Sequence, residues 1–152
     1  MLHLAAVTVG DVGVAELVDA LTAELAAAGY SDEESFGYST TQLEESGVHL
    51  VGAWVDGRLV GLGGVELQGG GVAELKRFFV DPAHRGLGVA DAVIEALVEH
   101  ARTAGTTTLR LETGDKQDAA LRFYARHGFA VVPRFPPYVD SATSVCMQRD
   151  LG

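Results

Sequence analysis

Val72-Ala-Glu-Leu-Lys-Arg-Phe-Phe-Val80, followed at once by Asp81-Pro-Ala-His-Arg-Gly-Leu-Gly-Val-Ala90, is the stretch that decides the fold. The apolar run Arg77-Phe78-Phe79-Val80 reads as the end of a strand. Asp81-Pro82 turns the chain, because proline fixes φ and disfavours helix in the residue before it. Two glycines follow, and a strongly periodic helix begins at Gly86 and runs to about Thr103. Val89/Ala90, Val93/Ile94, Leu97/Val98 and Ala101 form its apolar stripe, with Glu95, Glu99 and Arg102 outside it. A strand, a glycine-bearing turn and a helix N-terminus make an anion site. Unpaired N–H groups and a partial positive charge point at the ligand, and glycine lets it approach the backbone. The stretch predicts a phosphate-bearing ligand.

Known phosphate loops narrow the choice. No Gly-x-x-x-x-Gly-Lys-Ser/Thr string occurs. Gly86-Leu87-Gly88 lacks the third glycine of a dinucleotide fingerprint, with Asp91 at that position. Arg85, Gly88 and Ala90 do meet the pattern Arg/Gln-x-x-Gly-x-Gly/Ala. This resembles the coenzyme A pyrophosphate loop of the GNAT N-acetyltransferase superfamily.

Bulk properties bound the class. A chain of 152 residues suffices for one domain with a core, and the whole of 1–152 reads as one. No apolar run approaches the ~20 residues of a membrane span, so no membrane partner is expected. The start Met1-Leu2-His3-Leu4 lacks the basic opening of a secretory signal. Cys146 is the single cysteine, which leaves no internal disulfide and no zinc cluster. A reduced, cytoplasmic setting and a metal-free site follow as expectations. Net charge is −10 and is unevenly spread. Residues 1–57 hold ten Asp/Glu and no Lys or Arg, while 58–152 balance eleven against eleven. The acidic part excludes a nucleic-acid face, which needs Lys and Arg. It either steers a cationic substrate or serves as a solvated surface.

The order of elements extends the resemblance over nearly the whole chain. Leu4–Val9 reads as a strand and Asp11 to about Ala28 as a helix capped by Asp11 and stopped by Gly29. Residues 31–46 read as a short helix plus loop. Val48–Val55 and Arg58–Leu67 form a hairpin on Asp56-Gly57, and Val72–Val80 returns as a third strand. After the long helix come a strand at Thr106–Glu112, a helix at Lys116–His127, and strands at Phe129–Val132 and Thr143–Arg149. The order β-α-α-β-β-β-α-β-α-β-β is similar to that of the acetyltransferases. The resemblance implies an α/β (α+β) GNAT fold. Its mixed, mostly antiparallel sheet has about seven strands and a splayed parallel pair at the cofactor site, flanked by about four helices.

A second motif lies downstream. Members of the superfamily carry Asn-x-x-Ala-x-x-Leu/Phe-Tyr, followed shortly by Gly-Phe. Ala120, Phe123, Tyr124, Gly128 and Phe129 match, and Gln117 stands where Asn is usual. The strings 73–77, 111–114 and 137–146 are similar to those of small, largely uncharacterised bacterial members.

The resemblance implies acetyl-CoA as co-substrate and an acetyl-CoA-dependent N-acetyltransferase acting by direct attack in a ternary complex. It implies a primary amine of a small molecule, amino acid or peptide as acceptor, and it allows a homodimer. Cofactor contacts then fall to Phe78, Phe79 and Val80 on the strand, to Arg85, Gly86, Leu87, Gly88, Val89 and Ala90 in the loop, and to Gln117 and Tyr124 on the next helix. Gln117, Ala120, Leu121 and Tyr124 share one helical face, so Tyr124 is expected either to protonate the leaving thiolate or to be a core tyrosine. Glu74 shares a face of its strand with Lys76, Phe78 and Val80 by alternation. It is expected either to be the base or to pair with Lys76, with Glu112, Glu66, His49 and water in reserve. Phe36, Tyr38, Glu112 and Tyr138 are expected around the acceptor, with Phe135, Glu33, Glu34 and Asp140 near them. Competing readings are a non-catalytic acyl-CoA-binding regulatory module and a toxin acting on charged tRNA. Retained Tyr124 and Glu74 speak against the first, and the acidic half against the second.

Overall fold

The computed structural model describes residues 1–152. Seven strands form one sheet in the order β1-β2-β3-β4-β5-β7-β6. They are β1 (Leu2–Val7), β2 (His49–Val55), β3 (Arg58–Gly69), β4 (Val72–Val80), β5 (Thr108–Gly114), β6 (Ala130–Val132) and β7 (Ser144–Asp150). All neighbours are antiparallel except β4 and β5. The helices are α1 (Val14–Ala27), α2 (Thr40–Glu45), α3 (Val89–Thr103) and α4 (Asp118–Arg126). The expected element order and mixed sheet are both present.

Asp56 and Gly57 both have positive φ, as a tight two-residue hairpin turn requires. β1 lies two residues earlier than the expected Leu4–Val9, and the two long helices start later than the sequence suggested. The Asp11 carboxylate accepts from the Thr8 amide at 2.8 Å, which closes a turn before the helix, so α1 begins only at Val14 behind Gly13. Likewise α3 starts at Val89, because Gly86 and Gly88 stand at φ 79° and 83° outside the helix. Residues 31–46 hold a single 3₁₀ turn at Asp32–Glu34 and α2, each opened by a capping box, Ser31 with Glu34 and Ser39 with Gln42.

Two apolar layers sandwich the sheet. On one face, Val89, Val93, Ile94, Leu97 and Val98 of α3 pack with Ala73, Leu75 and Val80 of β4 and with Tyr124 of α4. On the other, Val14, Leu17 and Val18 of α1 and Leu43 of α2 pack with Leu59 and Leu62 of β3 and Phe79 of β4. The α3 layer lies close to the sheet. A Cβ on Gly61 would come within 2.8 Å of Val89, and one on Gly63 within 2.8 Å of Leu97. Glycine is needed at both for room.

Candidate active site

The site grows from the way β4 leaves β5. The two strands pair only over Val72–Glu74 and Thr108–Arg110. Beyond that they diverge, and Leu75–Val80 faces Leu111–Gly114 across a gap with no ladder between them. A cleft of about 610 Å³ opens there, lined by both strands and by α1, α4 and the 34–38 segment. Divergence leaves backbone N–H and C=O groups of β4 available to an extended ligand.

A bulge in β4 sets which side chains enter. Arg77 has φ 52°, and the register with β3 shifts between Leu62 and Gly64. One extra residue inverts the alternation beyond it. Phe78 and Val80 therefore join the α3 layer with Leu75, while Phe79 joins the α1 layer. This corrects the expected common face: Glu74 and Lys76 do not share it with Phe78 and Val80. Phe78 instead meets Phe123 and Tyr124 of α4, at ring separations of 5.6 and 6.0 Å.

The anion end lies at the start of α3. Gly86, Gly88 and Ala90 line the cleft. A Cβ at Gly86 or Gly88 would meet no atom within 4 Å, so these glycines serve the left-handed backbone that turns the loop. Of the other two loop residues, the Leu87 side chain points to solvent and that of Val89 is buried in the core. Neither lines the cleft. Arg85 does, but its guanidinium is engaged: Nε donates to the Val80 carbonyl at 2.9 Å and Nη2 to Glu24 at 2.8 Å. Asp91, in the first turn of α3, accepts from His127 at 2.7 Å, which ties that turn to the end of α4. Arg126, which the sequence reading missed, adds a second cation to this rim.

At the middle of the cleft stand Gln117, Ala120 and Tyr124, three residues of the expected helical face. Tyr124 is 7% exposed. Its hydroxyl makes no hydrogen bond within the chain, and burial together with the nearby Glu112 charge pushes its pKa above the ordinary phenol value. The phenol stays protonated and can donate.

The opposite end carries carboxylates. Glu74 is fully buried and its oxygens are taken: Oε1 accepts from Gln68 at 3.0 Å, and Oε2 accepts from Lys76 at 3.0 Å and Tyr138 at 2.6 Å. The ion pair with Lys76 is thus formed. Glu112 accepts from Ser144 Oγ at 2.7 Å through Oε2, while Oε1 has no partner in the chain. Burial raises the Glu112 pKa. Phe36, Tyr38 and Tyr138 line this end together with Glu112. Tyr38 donates to Glu66 at 3.0 Å. Of the other candidates, Glu34 lines the cleft and Phe135 packs behind Tyr138. Glu33 and Asp140 lie outside it, and His49 stacks on His100 at 3.6 Å, away from the cleft. Two more residues escaped the sequence reading. Tyr30 accepts from the Lys116 amide at 2.6 Å and so fixes the β5–α4 turn. Gly37 makes room for the Arg77 guanidinium, onto which any Cβ there would fall.

Comparison with known proteins agrees with this architecture. The model of the acetyltransferase (GNAT) family matches residues 15–129. The IAA acetyltransferase of Azospirillum brasilense is 32% identical over 123 residues, covering 80% of each chain. An N-alpha-acetyltransferase of Mycobacterium tuberculosis is 35% identical over 109 residues, which is 68% of this chain and 67% of that one. A structure from Klebsiella pneumoniae, provisionally described as an acyl-CoA N-acyltransferase, superposes with a TM-score of 0.84 at 30% identity, over 100% of this chain and 99% of that one. The PaiA N-acetyltransferase of Thermoplasma acidophilum, solved with coenzyme A, shares the fold at a TM-score of 0.79 and 18% identity, over 99% of each chain. The sheet that splays at β4, the glycine loop opening α3 and the matched family model agree, and the chain belongs to the GNAT family of acetyltransferases.

Proposed function

We propose that the protein transfers the acetyl group of acetyl-CoA to a primary amine of a small molecule, amino acid or peptide, by direct attack in a ternary complex. One observation carries the reading. The cleft holds a protonated phenol with no partner in the chain, Tyr124, and a carboxyl group whose pKa is raised, Glu112. An acid that stays protonated and a carboxyl group made more basic by burial, held in one site, are what amine acylation needs.

The residues divide the work. The Gly86–Ala90 turn and the N-terminus of α3 suit a pyrophosphate, and the free edge of Leu75–Val80 suits the amides of a pantetheine arm. Gln117 offers both a donor and an acceptor to the same arm. An ammonium is not nucleophilic, so the acceptor must lose a proton. Glu112 Oε1 receives it. The amine nitrogen forms a bond to the thioester carbonyl carbon, the carbon–sulfur bond breaks, and the sulfur leaves with its electron pair. Tyr124 gives its proton to that sulfur and is reprotonated from solvent, while the acylated nitrogen releases its second proton to solvent to leave the neutral amide. Glu74, the first candidate for the base, has both oxygens occupied and instead holds Lys76 and Tyr138 in the acceptor wall.

The test is release of free thiol from acetyl-CoA across amines, amino acids and peptides, with calorimetry of acetyl-CoA binding alongside. Turnover that falls in Glu112→Gln and in Tyr124→Phe while acetyl-CoA still binds supports the assignment. Tight binding with no turnover on any acceptor would make the protein an acyl-CoA-binding module.

A further inference from the structure

Arg77 is a buried cation without a counter-ion. It is 8% exposed, lines the acceptor side of the cleft and forms no ion pair. Nη2 donates to the Val18 carbonyl at 2.7 Å and to Thr22 Oγ1, both on α1. Nε is buried with no partner, and Nη1 donates to nothing in the chain. The only carboxylate that acts on it is Asp19, through its longer-range charge, and burial disfavours the charged form. Leaving a guanidinium buried and unpaired is costly unless something neutralises it. The fold nevertheless holds the guanidinium in place twice over. The bulge at Arg77 turns its side chain towards α1, and Gly37 lacks the Cβ that would lie on Nη1. No positive φ is recorded at Gly37, so glycine serves for room alone.

The neighbouring cation is not equivalent. Lys76 is already neutralised by Glu74 at 3.0 Å. Arg77 on β4 is therefore an uncompensated cation of the cleft, and across the gap on β5 Glu112 keeps a carboxyl oxygen without a partner. A simple alkylammonium or polyamine would be repelled by the first. A molecule that carries a carboxylate beside its amine satisfies both, and a guanidinium is the donor best shaped for a carboxylate.

We propose that Arg77 binds the carboxylate of the acceptor, so that the acceptors are amino acids or similar amine–carboxylates and not simple amines. The proposal rests on the acetyl-transfer reading and names its substrate class.

The experiment uses the full chain with two readouts. Thiol release from acetyl-CoA is followed with each common amino acid and with its carboxamide. Calorimetry then follows binding of N-acetylamino acids and their amides to the protein loaded with coenzyme A. We expect at least one carboxylate to exceed its amide by at least about tenfold in kcat/KM and in affinity. Arg77→Met should erase that preference while acetyl-CoA affinity is kept. Should Arg77→Met fail to fold, Gly37→Ala reports the same thing, since its Cβ displaces Nη1 while leaving the charge in the chain. Amides that match or exceed carboxylates in turnover would overturn the proposal and leave acetyl transfer standing. Binding of N-acetylamino acids that depends on Arg77, without thiol release from any acceptor, would keep the carboxylate site and remove the transferase. No preference in either readout, or one untouched by both variants, overturns it.

Discussion

Tyr138 Oη lies 2.6 Å from Glu74 Oε2, and Lys76 Nζ lies 3.0 Å from the same oxygen. A residue of the 135–140 loop thus caps an ion pair buried on the central strand, and the Glu74 carboxylate is held out of water by three donors, Gln68 on one oxygen and Lys76 and Tyr138 on the other. Burial and the Glu74 charge push the Tyr138 pKa above the ordinary phenol value, so its hydroxyl stays protonated, donating to Glu74 and accepting from Lys76 at 3.3 Å. Tyr138→Phe should cost about 1.5–3 kcal/mol, the value of a hydrogen bond to a charged group. Lys76→Met should cost more, about 3–5 kcal/mol, because it strands a buried carboxylate. Removing both charges, in Glu74→Leu with Lys76→Met, should recover most of the second loss. Urea denaturation of the three variants checks the order, and a double variant no better than Lys76→Met would refute it.

Glu112 ties activity and stability to pH with opposite signs. Burial raises its folded pKa, with the Glu74 charge adding to the rise and Ser144 opposing it. As a base it must be ionised, so kcat/KM should climb with pH through a value above the ordinary carboxyl range. A raised folded pKa means that the folded state binds the proton more tightly than the unfolded one. The carboxyl therefore favours folding below its unfolded pKa and loses that contribution as pH rises through the folded one. Glu112→Gln should melt higher than the parent at neutral pH, the gap closing in acid, while the acidic limb of the activity profile disappears. Thermal melts and pH–rate profiles on the same samples read both.

Much of this was written openly in the sequence. The turn at Asp56-Gly57, the glycine loop before α3 and the Gln117/Ala120/Tyr124 face each follow from local rules, and each is in place. The bulge at Arg77 was not legible in 72–80, because nothing in that strand alone breaks the alternation. Its trace was on the partner strand. Gly61, Gly63 and Gly64 crowd a strand interior, where glycine marks a bulge or a close approach. The capping boxes at Ser31/Glu34 and Ser39/Gln42 were equally readable and would have bounded the helical turns of 31–46. Gly37 and Tyr30 act only through residues distant in sequence, Arg77 and Lys116, so no local pattern reports them.

Tyr124 separates catalysis from packing. Its ring packs against Phe78, Phe123 and Phe129, and its hydroxyl adds no hydrogen bond to the fold. Tyr124→Phe should leave stability and acetyl-CoA affinity nearly unchanged while turnover falls by about a hundredfold. The rate with a thioester whose thiol is more acidic should be less impaired, because a better leaving group needs less help from an acid. Equal loss with both thioesters would mean that the hydroxyl positions the acyl group instead.

Gly88 and Gly70 offer a matched pair for the anion loop. Both have positive φ, 83° and 63°, and a Cβ at either would meet nothing within 4 Å. Alanine at each should therefore cost about 1 kcal/mol from the left-handed backbone alone. Gly88 precedes α3 at the cleft, whereas Gly70 sits in the β3–β4 turn outside it. If the Gly86–Ala90 turn holds a pyrophosphate, Gly88→Ala should also weaken acetyl-CoA binding, and Gly70→Ala should lose the same stability with affinity intact. Calorimetry of both against the parent decides it: equal affinities for the two variants would remove the loop from the cofactor site, since backbone strain is common to them and only proximity to the ligand differs.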